Sequence, residues 1–62
     1  MTPMQSSVWK CINEKKDALM SDIIQSTGFS KDAIRVITAK LLKDNKIRKT
    51  QVGHNYHYQA IE

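Results

Sequence analysis

The order of signals along the chain predicts an α+β fold, three short helices closed by a C-terminal β-hairpin. Three observations carry the prediction. Val8, Cys11 and Ile12 fall at the i, i+3, i+4 spacing that gathers apolar side chains on one side of a helix. Residues 19–47 read as a short amphipathic helix, a glycine turn, and a longer helix that opens on Ser30. Residues 47–61 alternate with the period of two that a strand requires, interrupted by Gly53-His54-Asn55.

Taken in order, residues 1–5 read as a loose leader with Pro3 as a breaker, and Ser6 or Ser7 caps a first helix over 6–16. The aliphatic stem of Lys15 continues the Val8, Cys11, Ile12 stripe, while Asn13, Glu14 and Lys16 take the wet side. Trp9 lies at the margin, where a large ring can pack while its indole N–H seeks a polar partner. Asp17-Ala18-Leu19 is a connector extended enough to pair as one strand of a small sheet. A second helix over 20–26 is anchored by Ile23 and Ile24, and Gly28 follows, where the turn needs positive φ. Phe29 plugs the angle between this helix and the next.

The third helix, over 30–44, starts on Ser30 as N-cap, with Asp32 at the positive end of its dipole. Ile34, Ile37, Thr38 and Leu41 form its inward face, extended by Leu42. Lys43 and Lys46 suit the negative end of the dipole, Asn45 serves as a left-handed cap in place of glycine, and Ile47 returns to the core. The hairpin over 47–61 is expected to turn through three residues, Gly53, His54 and Asn55.

Sixty-two residues make one small domain. A chain of this size buries only about 60% of the surface its unfolded form exposes, so the core must be used efficiently. The net charge of +4 is distributed unevenly. In residues 1–29, Lys10, Lys15 and Lys16 are balanced by Glu14, Asp17 and Asp22. From residue 30 onward, Lys31, Arg35, Lys40, Lys43, Lys46, Arg48 and Lys49 face only Asp32, Asp44 and Glu62. Such asymmetry points to a polyanionic partner. The single Cys11 cannot form an internal disulfide, and no apolar run reaches a membrane span or a signal-peptide core, so the expected setting is cytoplasmic with no membrane partner.

Two helices joined by so tight a turn form the core of a helix-turn-helix, whose second helix is shaped to enter the DNA major groove. The arrangement over residues 6–61 resembles the winged helix-turn-helix superfamily. The residues that carry the resemblance are Ile23 five before Gly28, Phe29-Ser30 opening the third helix, Ile34 and Leu41 within it, and the run Leu41-Leu42-Lys43-Asp44-Asn45-Lys46-Ile47, with Tyr58 matching an aromatic in the last wing strand. Asn45 stands where glycine is usual, and Thr38 where many members place leucine. The resemblance implies a DNA-binding transcriptional regulator of prokaryotic, phage or plasmid character, bound to double-stranded DNA and associated with the nucleoid when bound.

Carried onto this chain, the resemblance makes the third helix the reader. Ser30, Lys31, Asp32, Arg35, Val36, Ala39 and Lys40 project from its outer face or N-terminal end. Arg35 is the expected base contact, since its planar fork matches guanine O6 and N7, and Val36 or Ala39 would meet a thymine methyl. Lys31, Lys40 and Lys43 would hold phosphates, with the Ser30 hydroxyl and the free N–H groups of the helix start as a further phosphate site. On the hairpin, Lys49, Gln51, His54 and Asn55 would lie along the backbone or in the minor groove. Sequence-specific binding is expected to need two copies on adjacent half-sites, as a homodimer or with a partner protein.

Other chemistry finds little support. There is no glycine-rich phosphate loop, no acidic pair in a pocket and no Ser-His-Asp set placed to converge, so no enzyme is expected. His54, His57 and Cys11 do not converge in this layout, and neither metal nor cofactor is expected. Cys11 is expected as a small core residue. Tyr58 is expected in the core as well, with Tyr56 on the wing. The alternative reading is a winged-helix module that docks protein within a larger assembly, since a fold does not fix a function. A basic outer face on the third helix favours DNA over that alternative. RNA is disfavoured because the A-form major groove is too narrow for a helix.

Overall fold

A computed structural model describes residues 1–61, in the order α1 (Pro3–Lys15), β1 (Ala18–Leu19), α2 (Met20–Thr27), α3 (Lys31–Lys43), β2 (Ile47–Val52) and β3 (Asn55–Ala60). Three helices lie against a three-stranded antiparallel sheet of order β1-β3-β2, an α+β winged-helix-like layout.

The N-terminus departs from the expected loose leader over 1–5. Thr2 Oγ1 accepts a hydrogen bond from the Gln5 N–H at 3.2 Å, and Gln5 Oε1 accepts one from the Thr2 N–H at 3.1 Å. This reciprocal capping box starts α1 four residues before the Ser6–Ser7 pair. Pro3, read as a breaker, stands at the first helical position, where its fixed φ and missing N–H cost nothing. Lys15 also differs from expectation. It is exposed rather than laid along the stripe, because the chain turns off at Lys16 with φ +69°.

The core is built from all elements. Val8 and Ile12 of α1, Ile23 of α2, Ile34 and Leu41 of α3, and Ile47 of β2 are its fully buried large side chains, joined by Cys11, Ala18, Ile37 and Tyr58. Ile24, expected as a second buried anchor of α2, is only half-buried, since one residue's rotation from Ile23 turns it toward a surface cleft. Phe29 packs partly against the core at the α2–α3 corner, after Gly28 caps α2 at φ +74°.

α3 is fixed at both ends by the residues that the sequence marks. Ser30 Oγ accepts from the Ala33 N–H at 3.2 Å. At the other end Lys46 N–H donates to Leu41 O at 2.8 Å and Asn45 N–H to Leu42 O at 3.1 Å. This is the paired closure of a left-handed cap, with Asn45 at φ +58° doing what glycine usually does. Thr38 is buried at 3% exposure, and its hydroxyl donates to Ile34 O at 2.8 Å, so no polar group is stranded.

β2 and β3 pair from Ile47↔Ala60 to Val52↔Asn55, and β1 adds Ala18↔Tyr58 and Leu19↔His57. Within the connector at 17–19, Ala18 and Leu19 thus pair as a strand, as expected, while Asp17 lies just before it. The turn is shorter than expected. Asn55 belongs to β3 and faces Val52, leaving two residues, Gly53 and His54. Gly53 has φ +62° and His54 does not share the positive φ, the pattern of a hairpin turn with glycine first. Trp9 finds its polar partner at the far end of α3, donating Nε1–H to Lys46 O at 3.0 Å, and the Ile61 N–H donates to the same carbonyl at 2.9 Å.

Candidate nucleic-acid interface

The 3.6-residue period of α3 commits Ile34, Ile37, Thr38 and Leu41 to the core and so leaves Asp32, Val36, Ala39 and Lys43 as an exposed ridge on the opposite side. Lys31 and Arg35 flank this ridge toward the hairpin, and Lys40 flanks it on the other side. Lys40 Nζ lies 3.7 Å from Asp44 Oδ1, an exposed pair that binds its lysine weakly and leaves it free to change partners.

Between the N-terminal half of α3 and the hairpin runs an open cleft. Lys31 and Arg35 line it from α3, and Lys49, His54, Asn55 and Tyr56 from the hairpin, while Leu19, Met20, Ser21, Ile24 and Tyr58 form its floor and end. The register explains why Lys49 is there. Lys49 pairs with Tyr58, which is buried at 6% exposure, so Lys49 lies on the helix-facing side of the sheet, and the adjacent Arg48 lies on the other. Lys49 Nζ stands 4.6 Å from the centre of the Tyr56 ring, a cation–π contact that holds the ammonium at the cleft.

The predicted residues therefore fall into three sets. Lys31, Arg35, Lys49, His54 and Asn55 come together at the cleft. Asp32, Val36, Ala39, Lys40 and Lys43 stand on the ridge and its outer flank, apart from the cleft. Ser30 and Gln51 have local partners: Ser30 Oγ caps α3, and Gln51 Nε2–H donates to Gly53 O at 3.2 Å, stiffening the turn. Sequence reasoning missed Ser21 and left Tyr56 without a role. The signal for Tyr56 was present, because it lies two residues before the core residue Tyr58 and must share its face.

A second polar cluster lies on the opposite face of the sheet. Gln59 Nε2–H donates to Asp17 Oδ1, and Thr50 Oγ1–H donates to Gln59 Oε1 at 3.0 Å. His57 Nδ1 sits 3.2 Å from Asp17 Oδ2 in an orientation poor for a hydrogen bond. His54 and His57 are on separate surfaces, at the cleft and against Asp17, and Cys11 is buried in the core. Among the described residues no group of three or more His, Cys, Asp or Glu is placed to hold a metal ion, and no helix is long and apolar enough to cross a membrane.

No protein-family model matches the sequence, and no curated protein matches it significantly. Among solved structures the fold is similar to that of BpsR from Bordetella bronchiseptica, a protein whose DNA binding is regulated by 6-hydroxynicotinic acid. The TM-score is 0.94 at 11% sequence identity, and the match covers 98% of this chain. This chain spans less than half of BpsR, 45% of its length. At that identity the likeness establishes a shared fold.

Proposed function

We propose that this chain is a winged helix-turn-helix module that binds double-stranded DNA as part of a transcriptional regulator. α3 enters the major groove along its Asp32, Val36, Ala39, Lys43 ridge, and one phosphodiester strand runs through the cleft between α3 and the hairpin. Lys31 and Lys49 hold its phosphates from the two sides, Arg35 reaches from the edge of the ridge to a base, and His54 and Asn55 follow the backbone or the minor groove. The free N–H groups after Ser30 lend partial positive charge at the same end of α3.

The observation that carries the reading is the convergence of Lys31, Arg35 and Lys49 on one cleft beside an exposed helix face. Likeness in fold to a protein whose DNA binding is regulated supports it, and catalysis has no comparable support. Two copies on half-sites about 34–36 Å apart would extend the reading to a full operator, acting in the cytoplasm of a prokaryotic, phage or plasmid system.

The test is a titration of isotope-labelled protein with a short duplex at low salt, followed by backbone amide shifts. Shifts confined to residues 19–24, 30–43 and 49–58, reversed by added salt, are expected. A folded protein whose amides there stay silent would overturn the proposal and favour protein docking.

A further inference from the structure

Val36 is 71% exposed, the most exposed large apolar side chain among the described residues, and it sits mid-helix rather than at a frayed end. At that exposure it buries little on folding, while its branched side chain lowers helix propensity by up to about 0.7 kcal/mol relative to alanine. Ala39, three residues on, is exposed beside it. Lys31, Arg35, Lys40 and Lys43 ring the pair. An apolar protein surface docking here would have to strip water from those cations, and a second copy of a +4 chain would bring like charges together. A DNA duplex instead offers phosphates to the cations, and the apolar group its major groove presents is the C5-methyl of thymine. Asp32, one turn before Val36 on the same ridge, repels phosphate and so directs the ridge's centre to base edges rather than to the backbone.

We propose that Val36, with Ala39 beside it, reads thymine through its C5-methyl group, so that the preferred site of this protein is set in part by an apolar contact. The inference rests on the DNA-binding reading and names what the exposed helix face recognises. Replacing thymine by uracil removes that methyl and leaves base pairing and every hydrogen-bonding edge unchanged.

The experiment is enrichment of a bound site from a random duplex library with the full chain, followed by replacement of each thymine in that site by uracil, one at a time. At one position per bound copy, affinity should fall about fourfold, the equivalent of one buried methyl at about 0.8 kcal/mol. The Val36→Ala variant, which keeps a good helix former at an exposed position, should bind the thymine and uracil duplexes alike. Equal binding of every uracil duplex by the parent protein would overturn the proposal while leaving DNA binding intact. So would full thymine discrimination retained by Val36→Ala, or salt-sensitive binding with no enriched site. Failure to bind any duplex at low salt would remove the DNA reading itself, and the inference with it.

Discussion

The sheet register makes a sharp prediction about two adjacent cations, Arg48 and Lys49. Both are exposed, and they carry the same charge a single residue apart. Lys49 lines the cleft and Arg48 points from the opposite face of the hairpin. Taking Lys31, Lys40, Lys43 and Lys49 as the phosphate-facing set, four neutralised phosphates give a log–log salt slope of about −3.6 on duplex DNA. Affinity then falls about 150-fold between 50 and 200 mM salt. Lys49→Ala should flatten the slope to about −2.7, a loss of about 40-fold over the same range, whereas Arg48→Ala should leave it near the parent value. Fluorescence anisotropy with a labelled duplex at four or five salt concentrations measures all three slopes, and thermal melts confirm that each variant is folded. Equal slopes for the two variants would refute the placement of DNA in the cleft, since net charge alone would then account for the binding.

Three further outcomes concern the scaffold. Leu41→Ala should cost about 2–5 kcal/mol in urea unfolding, enough to consume much of the ~3–9 kcal/mol expected for a chain of 62 residues. Gly28→Ala should destabilise by about 1 kcal/mol and Gly28→Asn by less, because a Cβ there meets no atom within 4 Å and the penalty is purely that of φ +74°; equal losses in chemical denaturation would contradict this. Trp9→Phe should cost only about 0.5–1.5 kcal/mol for its lost hydrogen bond, since the Ile61 N–H still satisfies the Lys46 carbonyl, and a larger loss in thermal unfolding would show that packing of the indole dominates.

The parts of this fold that were legible in sequence are those governed by local chemistry. Ser30 and Asn45 bracket α3 because a hydroxyl cap and a left-handed asparagine act on backbone groups within a few residues. Pro3 misled because its meaning depends on position, breaking a helix interior but favouring a helix start, and only the Thr2–Gln5 exchange of hydrogen bonds decides between them. The hairpin turn was misjudged by one residue because Asn55 suits a turn and a strand end alike, and its pairing with Val52 settles the matter. At the site, the helix period exposed the ridge residues directly. The grouping of Lys49 and Tyr56 with Lys31 and Arg35, and of Asp17 with His57, Gln59 and Thr50, depends on pairings between distant strands that no local pattern encodes.

The double acceptor at Lys46 has a mechanical consequence. Trp9 near the start of the chain and Ile61 near residue 62 are both fastened to one carbonyl at the C-terminal end of the helix that faces the cleft. A displacement of α1 at Trp9 or of the strand segment at Ile61 therefore bears on the same carbonyl, just past the C-terminal end of α3.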